Sequence, residues 1–492
     1  MPIVGFGEWL PDLPPFENTG SIYVNNVVPV AGGNYAPWYA FTPIDSSALD
    51  SSAIGAISAR AKNGTVNTFA GTRTKLFRST TGAFSDATRT VGGAYTAQIG
   101  DYWRFAKFGD VMIATDFQDD MQQFNMTSST NFSVLTGFPK AKFLAASKDF
   151  LFFGNVNDPL DDLRPERVGW SQLRTLTYSP GTNLSDNNDL LGDGGDVTGL
   201  LVGSYLTVMQ EKAVWRADFT GDANIPFSFV RLESTQGNLY PNAPVQYGDI
   251  SYFISQDGFC RSNGQVVQIF GSGKVNKYFN DNVNKSFLSR VYGAVDILNQ
   301  LIIWIYPSVS SSGVPDKAIM YYITENRFSQ GDVAVDVLFS TLTRDISIDA
   351  ISGSLDALGE ISLDSGEFSG GRYRLGAFNS SNQLCYPGTA TLAASIVGSE
   401  QQINPGGRAF LRGLRVNCDA TPQSVLGVTI GTRNDQGATI SYGSTVSPSV
   451  KGHFPLRADG RYHRVKVDIQ AGSSWTKLQG VSDIDAKKSG AR

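Results

Sequence analysis

The stretch "KFGDVMIATDFQDDMQQFN", Lys107 to Asn125, alternates around a turn. Val111, Ile113 and Thr115 fall on one side and Met112 and Ala114 on the other. A polar turn follows, then a second segment carrying Met121 and Phe124. Period-two alternation of this kind marks a β-hairpin. The Gly109-Asp110 turn has counterparts along the chain: Asn63-Gly64, Lys148-Asp149, Gly203-Ser204, Gly248-Asp249 and Asn299-Gln300. The six stand roughly 39 to 55 residues apart, about 47 on average, within the range of propeller blades.

Each turn is followed by a second segment bearing an aromatic residue: "TKLFRS", "MQQFN", "RVGWSQ", "AVWRADF", "DGFCRSNG" and "AIMYYIT". A third element opens with Phe-Ser at Phe84-Ser85, Phe132-Ser133, Phe227-Ser228 and Phe328-Ser329. A lone small sheet cannot bury both faces, whereas sheets stacked radially bury them against neighbours. The expectation is an all-β chain with a six-bladed β-propeller over residues 51–345. β-Meanders packed as a sandwich are the alternative for the same pattern.

The flanks differ from the repeat. Residues 1–50 read as an extended arm. Pro11, Pro14 and Pro15 forbid a continuous helix there, and Ser21 to Val30 alternates as a strand. Trp9, Trp38 and Phe41 in this arm are candidates for an assembly interface, against the alternative that the arm docks on its own chain. Residues 346–365 read as an acidic linker; six acids and no base fall between Asp345 and Glu367. Residues 366–492 return to β-patterning in "RYRLGAF", "TATLAASIV", "RAFLRGLRVNC", "SVLGVTIGTR" and "YHRVKVDI", a C-terminal β-sandwich or barrel-like platform domain. Its basic end, Lys451 to Arg492, could meet an acidic partner or be a solvated tail.

Composition narrows the functional classes. Apolar residues make up 41% and charged residues 17%, as in a globular chain long enough for two or three domains. A net charge of −5 with no basic stripe disfavours a protein that grips DNA, though not an acidic surface past which DNA slides. Cys260, Cys385 and Cys418 are far apart, without zinc-site spacing, and read as buried thiols. The first residues lack the features of a secretory signal, and the apolar run Ile297 to Pro307 is too short to span a bilayer, so a soluble protein made in the cytosol is expected.

Catalytic chemistry has few carriers. His453 and His463 are the only histidines, neither near a nucleophile motif, and no phosphate-binding loop is present. Asp116, Asp119, Asp120, Asp193, Asp196 and Asp257 could supply a glycosidase carboxylate pair, but acids in Gly-rich turns serve the turns themselves. The loop Ser185 to Leu200, "SDNNDLLGDGGDVTGL", could hold calcium or sugar, or simply join two blades. No catalytic residue, cofactor or metal is assigned.

Several stretches together carry a family resemblance: "WLPDLPPFENTGSIYVNNVVPVAGGNYAPW", "FAGTRTKLFR", "WRFAKFGDVMIATD", "DGGDVTGLLVGSYLTVMQEKAVWR", "ISQDGFCRSNGQ", "SIDAISGSLDALGEISLDS" and "GRYHRVKVDI". The chain resembles the tail nozzle proteins of short-tailed bacteriophages (podoviruses), also called tail hub or packaged-DNA stabilisation proteins. The resemblance covers nearly the whole chain. It implies a non-enzymatic virion protein, made in the host cytoplasm and placed in the tail. It further implies a hexameric ring below the head-to-tail adaptor, in contact with needle, fibre or spike proteins, with genomic DNA passing without sequence-specific binding and no membrane anchor. The competing reading is a carbohydrate-binding or glycan-cleaving tail propeller. A metabolic enzyme is a third class, for which no motif speaks.

Overall fold

A computed structural model describes residues 3–15, 18–233, 235–343 and 371–490. Seven four-stranded antiparallel sheets form a ring. Six are contiguous in the chain: blade 1 spans 55–86, blade 2 104–134, blade 3 140–189, blade 4 197–233, blade 5 245–269 and blade 6 292–332. The seventh unites Val335–Leu342, Tyr373–Asn379 and Gln383–Thr391 with Tyr39–Ala48, which returns from the N-terminal arm as the outer strand. The first strand of each blade touches the first strand of the next, and Val335–Leu342 touches those of blades 6 and 1, which closes the ring.

The all-β propeller with a second β-rich domain is therefore present, and it has seven blades where the turn count gave six. The reason is local. In blades 1–6 the marker turns join the first and second strands through pairs such as Phe108↔Val111 and Ser147↔Phe150. Gly109 takes φ +61°, the left-handed conformation such a tight turn requires. In blade 7 the corresponding partners are Leu342 and Tyr373, and the whole segment 343–372 replaces the turn. The acidic linker at 346–365 lies outside the described residues. The strand before each turn escaped the sequence pattern, so the aromatic segments are third strands and the Phe-Ser pairs open fourth strands.

Blade stacking explains the composition of the strands. Met112, Ile113, Ala114 and Thr115 are all wholly buried, so both faces of that strand are covered. Trp103, entering blade 2, lies against blade 1 and donates to the Thr72 carbonyl at 2.7 Å. Only glycine fits beneath it: a Cβ at Gly71 would stand 2.1 Å from its Cδ1.

The second domain is a sandwich built from both ends of the chain. One sheet runs Val27–Val30, Asn34–Pro37, Leu478–Gly490, Arg408–Cys418, Phe454–Gly460, with Val4–Gly5 beside Leu478–Gly490. The other runs Ser21–Asn25, Ala394–Gly398, Tyr462–Ile469, Leu426–Arg433, Ser441–Tyr442. The boundaries expected at 50 and 366 are thus displaced, since 39–48 and 373–391 belong to the ring. The arm strands pack on the outer strand of blade 6, Arg327–Asp332. One apolar core runs through Phe259, Trp304 and Phe328 of the ring, Trp9 and Tyr35 of the arm, and Ile396, Leu414 and Val467 of the sandwich.

Candidate functional site

The three aromatic residues expected at an assembly interface turn inward. Trp9 has no exposed surface and meets the edge of Tyr278 with ring centroids 5.0 Å apart. Trp38 is buried; its indole nitrogen donates to the Asp332 carbonyl at 3.2 Å and its ring meets Phe41 edge-on. Phe41 is half-buried in the outer strand of blade 7, against that blade's core. Side chains consumed by their own chain's core are not available to a neighbour. The arm docks within the chain, and these residues clasp ring to sandwich.

A polar hub completes the clasp. The Asp332 carboxylate accepts from Asn25 at 2.7 Å, Asn26 at 3.0 Å and Lys317 at 2.6 Å, and its backbone N–H donates to the Asn26 side chain. Burial alone would raise this carboxyl; the hydrogen bonds from Lys317, Asn25 and Asn26 outweigh it and hold Asp332 below the ordinary carboxylate value. Nearby, the buried Arg327 reaches the Gly7 carbonyl at 3.1 Å and lies over the Tyr35 ring.

A cavity of about 810 Å³ opens beside this clasp. Its walls are the first turn of blade 6, the two chain positions flanking 344–370, and the hairpin of strands 27–30 and 34–37. Tyr322 and Tyr373 supply aromatic surface; Asn299, Arg372 and Arg374 supply hydrogen-bond donors. Arg374 is steadied by the Pro387 carbonyl at 3.0 Å and by the Tyr386 ring. Asp296 is the one carboxylate among the described lining residues, and Asn299 donates to it at 2.7 Å. Aromatic faces with amide and guanidinium donors suit a polar, hydroxyl-rich ligand, whereas glycoside hydrolysis needs two facing carboxylates. Because the walls come from several distant segments, no local pattern could have disclosed the groove.

The acids singled out in the sequence lie elsewhere and mostly serve turns. Asp119 pairs with Arg89 at 2.7 Å and accepts from the Thr96 backbone. Asp116 is buried and accepts from the Asp119 N–H on one oxygen, while the other has no partner. Burial pushes its carboxyl up to about 6, against the lowering effect of that hydrogen bond. Asp193 pairs with Arg231 at 2.7 Å, Asp257 accepts from Gln236, and Asp120 and Asp196 accept through their backbone carbonyls. In the 185–200 segment, Asp186–Asp189 is the outer strand of blade 3, and Asp189 pairs with Arg167 at 2.6 Å. Among the described residues, no group of three or more His, Cys, Asp or Glu side chains is placed to hold a metal ion.

His463 is buried and contacts the Ala409 carbonyl at 3.1 Å; burial lowers its value, as for a structural imidazole. Cys260 and Cys385 are buried, Cys418 is half-buried, and burial pushes all three thiols up to about 11. Two further sites had no sequence signal. Glu400 is buried in the sandwich between Arg433 at 2.7 Å and Arg464 at 3.4 Å. Arg104, on the first strand of blade 2, donates to the Pro241 carbonyl between blades 4 and 5, beneath the Tyr102 and Phe143 rings. This bond links blade 2 to the connection between blades 4 and 5.

No protein-family model and no curated protein matches the chain. Among solved structures it is similar to a chain of the mitotic checkpoint complex, at 12% identity and a TM-score of 0.40, covering 71% of this chain and 96% of that one. It is also similar to an extracellular domain of a hybrid two-component system from B. thetaiotaomicron, at 10% identity and a TM-score of 0.44, covering 89% of this chain and 47% of that one. A third is virginiamycin B lyase from Staphylococcus aureus, at 10% identity and a TM-score of 0.39, covering 70% and 98%. At these values none bears on function, and the seven-bladed architecture rests on the chain's own strand pairing.

Proposed function

We propose that this chain is a structural subunit of a short-tailed bacteriophage tail, a nozzle protein that forms a ring below the head-to-tail adaptor and gives passage to packaged DNA. The observation that carries the reading is the clasp. One core and one arm bind a closed propeller to a sandwich, which makes a stiff block of the kind a pressurised conduit needs. The family resemblance supplies the setting: a homo-oligomeric sixfold ring, with adaptor, needle and fibre or spike proteins as neighbours. The test is the chain's copy number in DNA-filled particles separated on a density gradient. A fixed number of about six, retained after fibres are stripped, is expected from the ring symmetry. Absence from particles, or loss together with the fibres, would sink the reading.

The groove beside the clasp favours one alternative, a carbohydrate-binding tail protein. Tyr322 and Tyr373 with Arg372 and Arg374 form a lining suited to sugar hydroxyls. Saturable binding of host surface glycan, abolished by Tyr373→Ala, would favour this alternative over the nozzle.

A further inference from the structure

Two exposed features have complementary chemistry. The first is the tip of blade 3. Phe150–Asp158 and Asp162–Trp170 form its long central hairpin, closed by the pair Asp158↔Asp162. Leu160 at the tip is 94% exposed and Leu163 beside it 56%. Asp158, Asp161 and Asp162 surround them, with Glu166 and Asp189 further along the hairpin, against Arg164, Arg167 and Lys140, which stands level with Asn157. Arg167 is already shared among Asp158, Asp161 and Asp189. The tip is thus acidic with an apolar point.

The second is the outer face of the sandwich sheet that contains Arg408–Cys418. Along that strand Ala409, Leu411, Leu414 and Val416 are buried, while Phe410 is half-buried on the opposite side. Phe410 stands level with Lys487 on one neighbouring strand and Asp459 on the other. Three ion pairs cover part of this face: Arg408 with Asp459, Arg412 with Asp485 at 2.6 Å, and Arg415 with Asp483 at 3.1 Å. Lys451, whose carbonyl Arg415 holds, is exposed, as are Arg457 and Lys487, and none of the three makes an ion pair among the described residues. The face is thus basic with an aromatic centre.

Their placement gives the complementarity a direction. The sandwich is fixed to the outer strand of blade 6, and blade 3 stands three places away in a ring of seven. Two different, matching surfaces, one on blade 3 and one on the sandwich held by blade 6, make a head-to-tail contact, which forms a ring when its rotation closes. We propose that the blade 3 hairpin tip of one copy docks on the basic sandwich face of the next, with Leu160 against Phe410 and the tip carboxylates against Arg457, Lys487 and Lys451. The occupant of each surface is a second copy of this chain. The proposal rests on the ring reading above and names the contact that would build the ring.

The test uses the purified full-length chain in sedimentation velocity over a concentration series. The wild type is expected to self-associate, less so at about 0.5 M salt, where charge pairing is screened. Leu160→Lys alters the tip, and Arg457→Glu with Lys487→Glu alters the face. All three side chains are exposed, so unfolding midpoints should match the wild type. Each variant alone should associate at least tenfold more weakly. An equimolar mixture should form a heterodimer and stop there, because only one intact tip and one intact face remain to meet. A wild type that stays monomeric throughout, or variants that associate as the wild type does, would overturn the contact. Salt-sensitive retention of duplex DNA by the face of a monomeric chain would overturn it too, in favour of a nucleic-acid surface. Particle copy number separates the two levels of failure. A fixed copy number with association untouched by both variants removes this contact alone, whereas absence from particles removes the nozzle reading.

Discussion

Blades 1–6 and blade 7 solve the same packing problem in opposite ways. Each of the first six draws its four strands from one contiguous stretch. Blade 7 gathers three strands from 335–391 and a fourth from Tyr39–Ala48, almost three hundred residues earlier in the chain. The six local sheets need only their own hairpins and their neighbours. The seventh exists only when the arm has returned, and the same arm supplies strands to both sheets of the sandwich. Local pairing builds most of the ring; one non-local clasp closes it and attaches the second domain.

The most severe way to break this comparison is to remove the clasp. A chain lacking residues 1–48 loses the outer strand of blade 7 and four strands of the sandwich. It is expected to show no cooperative thermal transition, by calorimetry, for the sandwich or blade 7. An intact transition for the sandwich would mean that the arm is dispensable.

Single large-to-small changes sharpen the contrast. Trp9→Ala and Phe124→Ala each empty a wholly buried aromatic site and should cost about 3–5 kcal/mol in denaturant unfolding. Their reach should differ. Trp9 lies in the core that joins arm, sandwich and blades 5 and 6, whereas Phe124 packs with Phe69 and Phe132 in blades 1 and 2. Hydrogen exchange should speed up across both domains for the first variant and in blades 1 and 2 for the second.

Two carboxylates probe the same contrast through pH, with opposite signs. Asp116, in blade 2, has its folded value raised from 3.8 to about 6. Its folded form holds the proton more tightly, so its destabilising effect grows as pH rises from 3.8 to about 6 and is fully present above that. Asp116→Asn should raise stability at pH 7 by an amount on the order of 1–3 kcal/mol and flatten this window. Asp332, in the clasp, has its folded value lowered, so its contribution is present above 3.8 and lost as pH falls through the folded value. Asp332→Ala is the smallest change, about 1 kcal/mol after allowance for its partly solvated position. It should act at neutral pH and lose its effect in strong acid. Equal pH dependence in the two variants would contradict the assignment.

What the sequence disclosed follows the same division. The marker turns and the aromatic third strands are local features, and they located six blades. The strand before each turn was hidden because segments such as "RFAKF" mix Arg104 and Lys107 with apolar residues without clean alternation. Blade 7 was hidden because 343–372 stands where the turn would be and its outer strand lies in the arm. Trp9, Trp38 and Phe41 were conspicuous as aromatic residues in a proline-rich arm, but nothing local distinguishes a side chain that docks on its own chain from one that docks on another. The groove was illegible for the same reason, since its walls meet only after the clasp has formed.

Native-state hydrogen exchange across a denaturant series tests the clasp most directly. The account predicts that amides in Tyr39–Ala48, in Arg327–Asp332 and in the sandwich strand Tyr462–Ile469 converge on one opening free energy, because arm, blade 6 and sandwich open together. A sandwich that opens well below the ring, leaving Tyr39–Ala48 protected, would show two independent domains and contradict it.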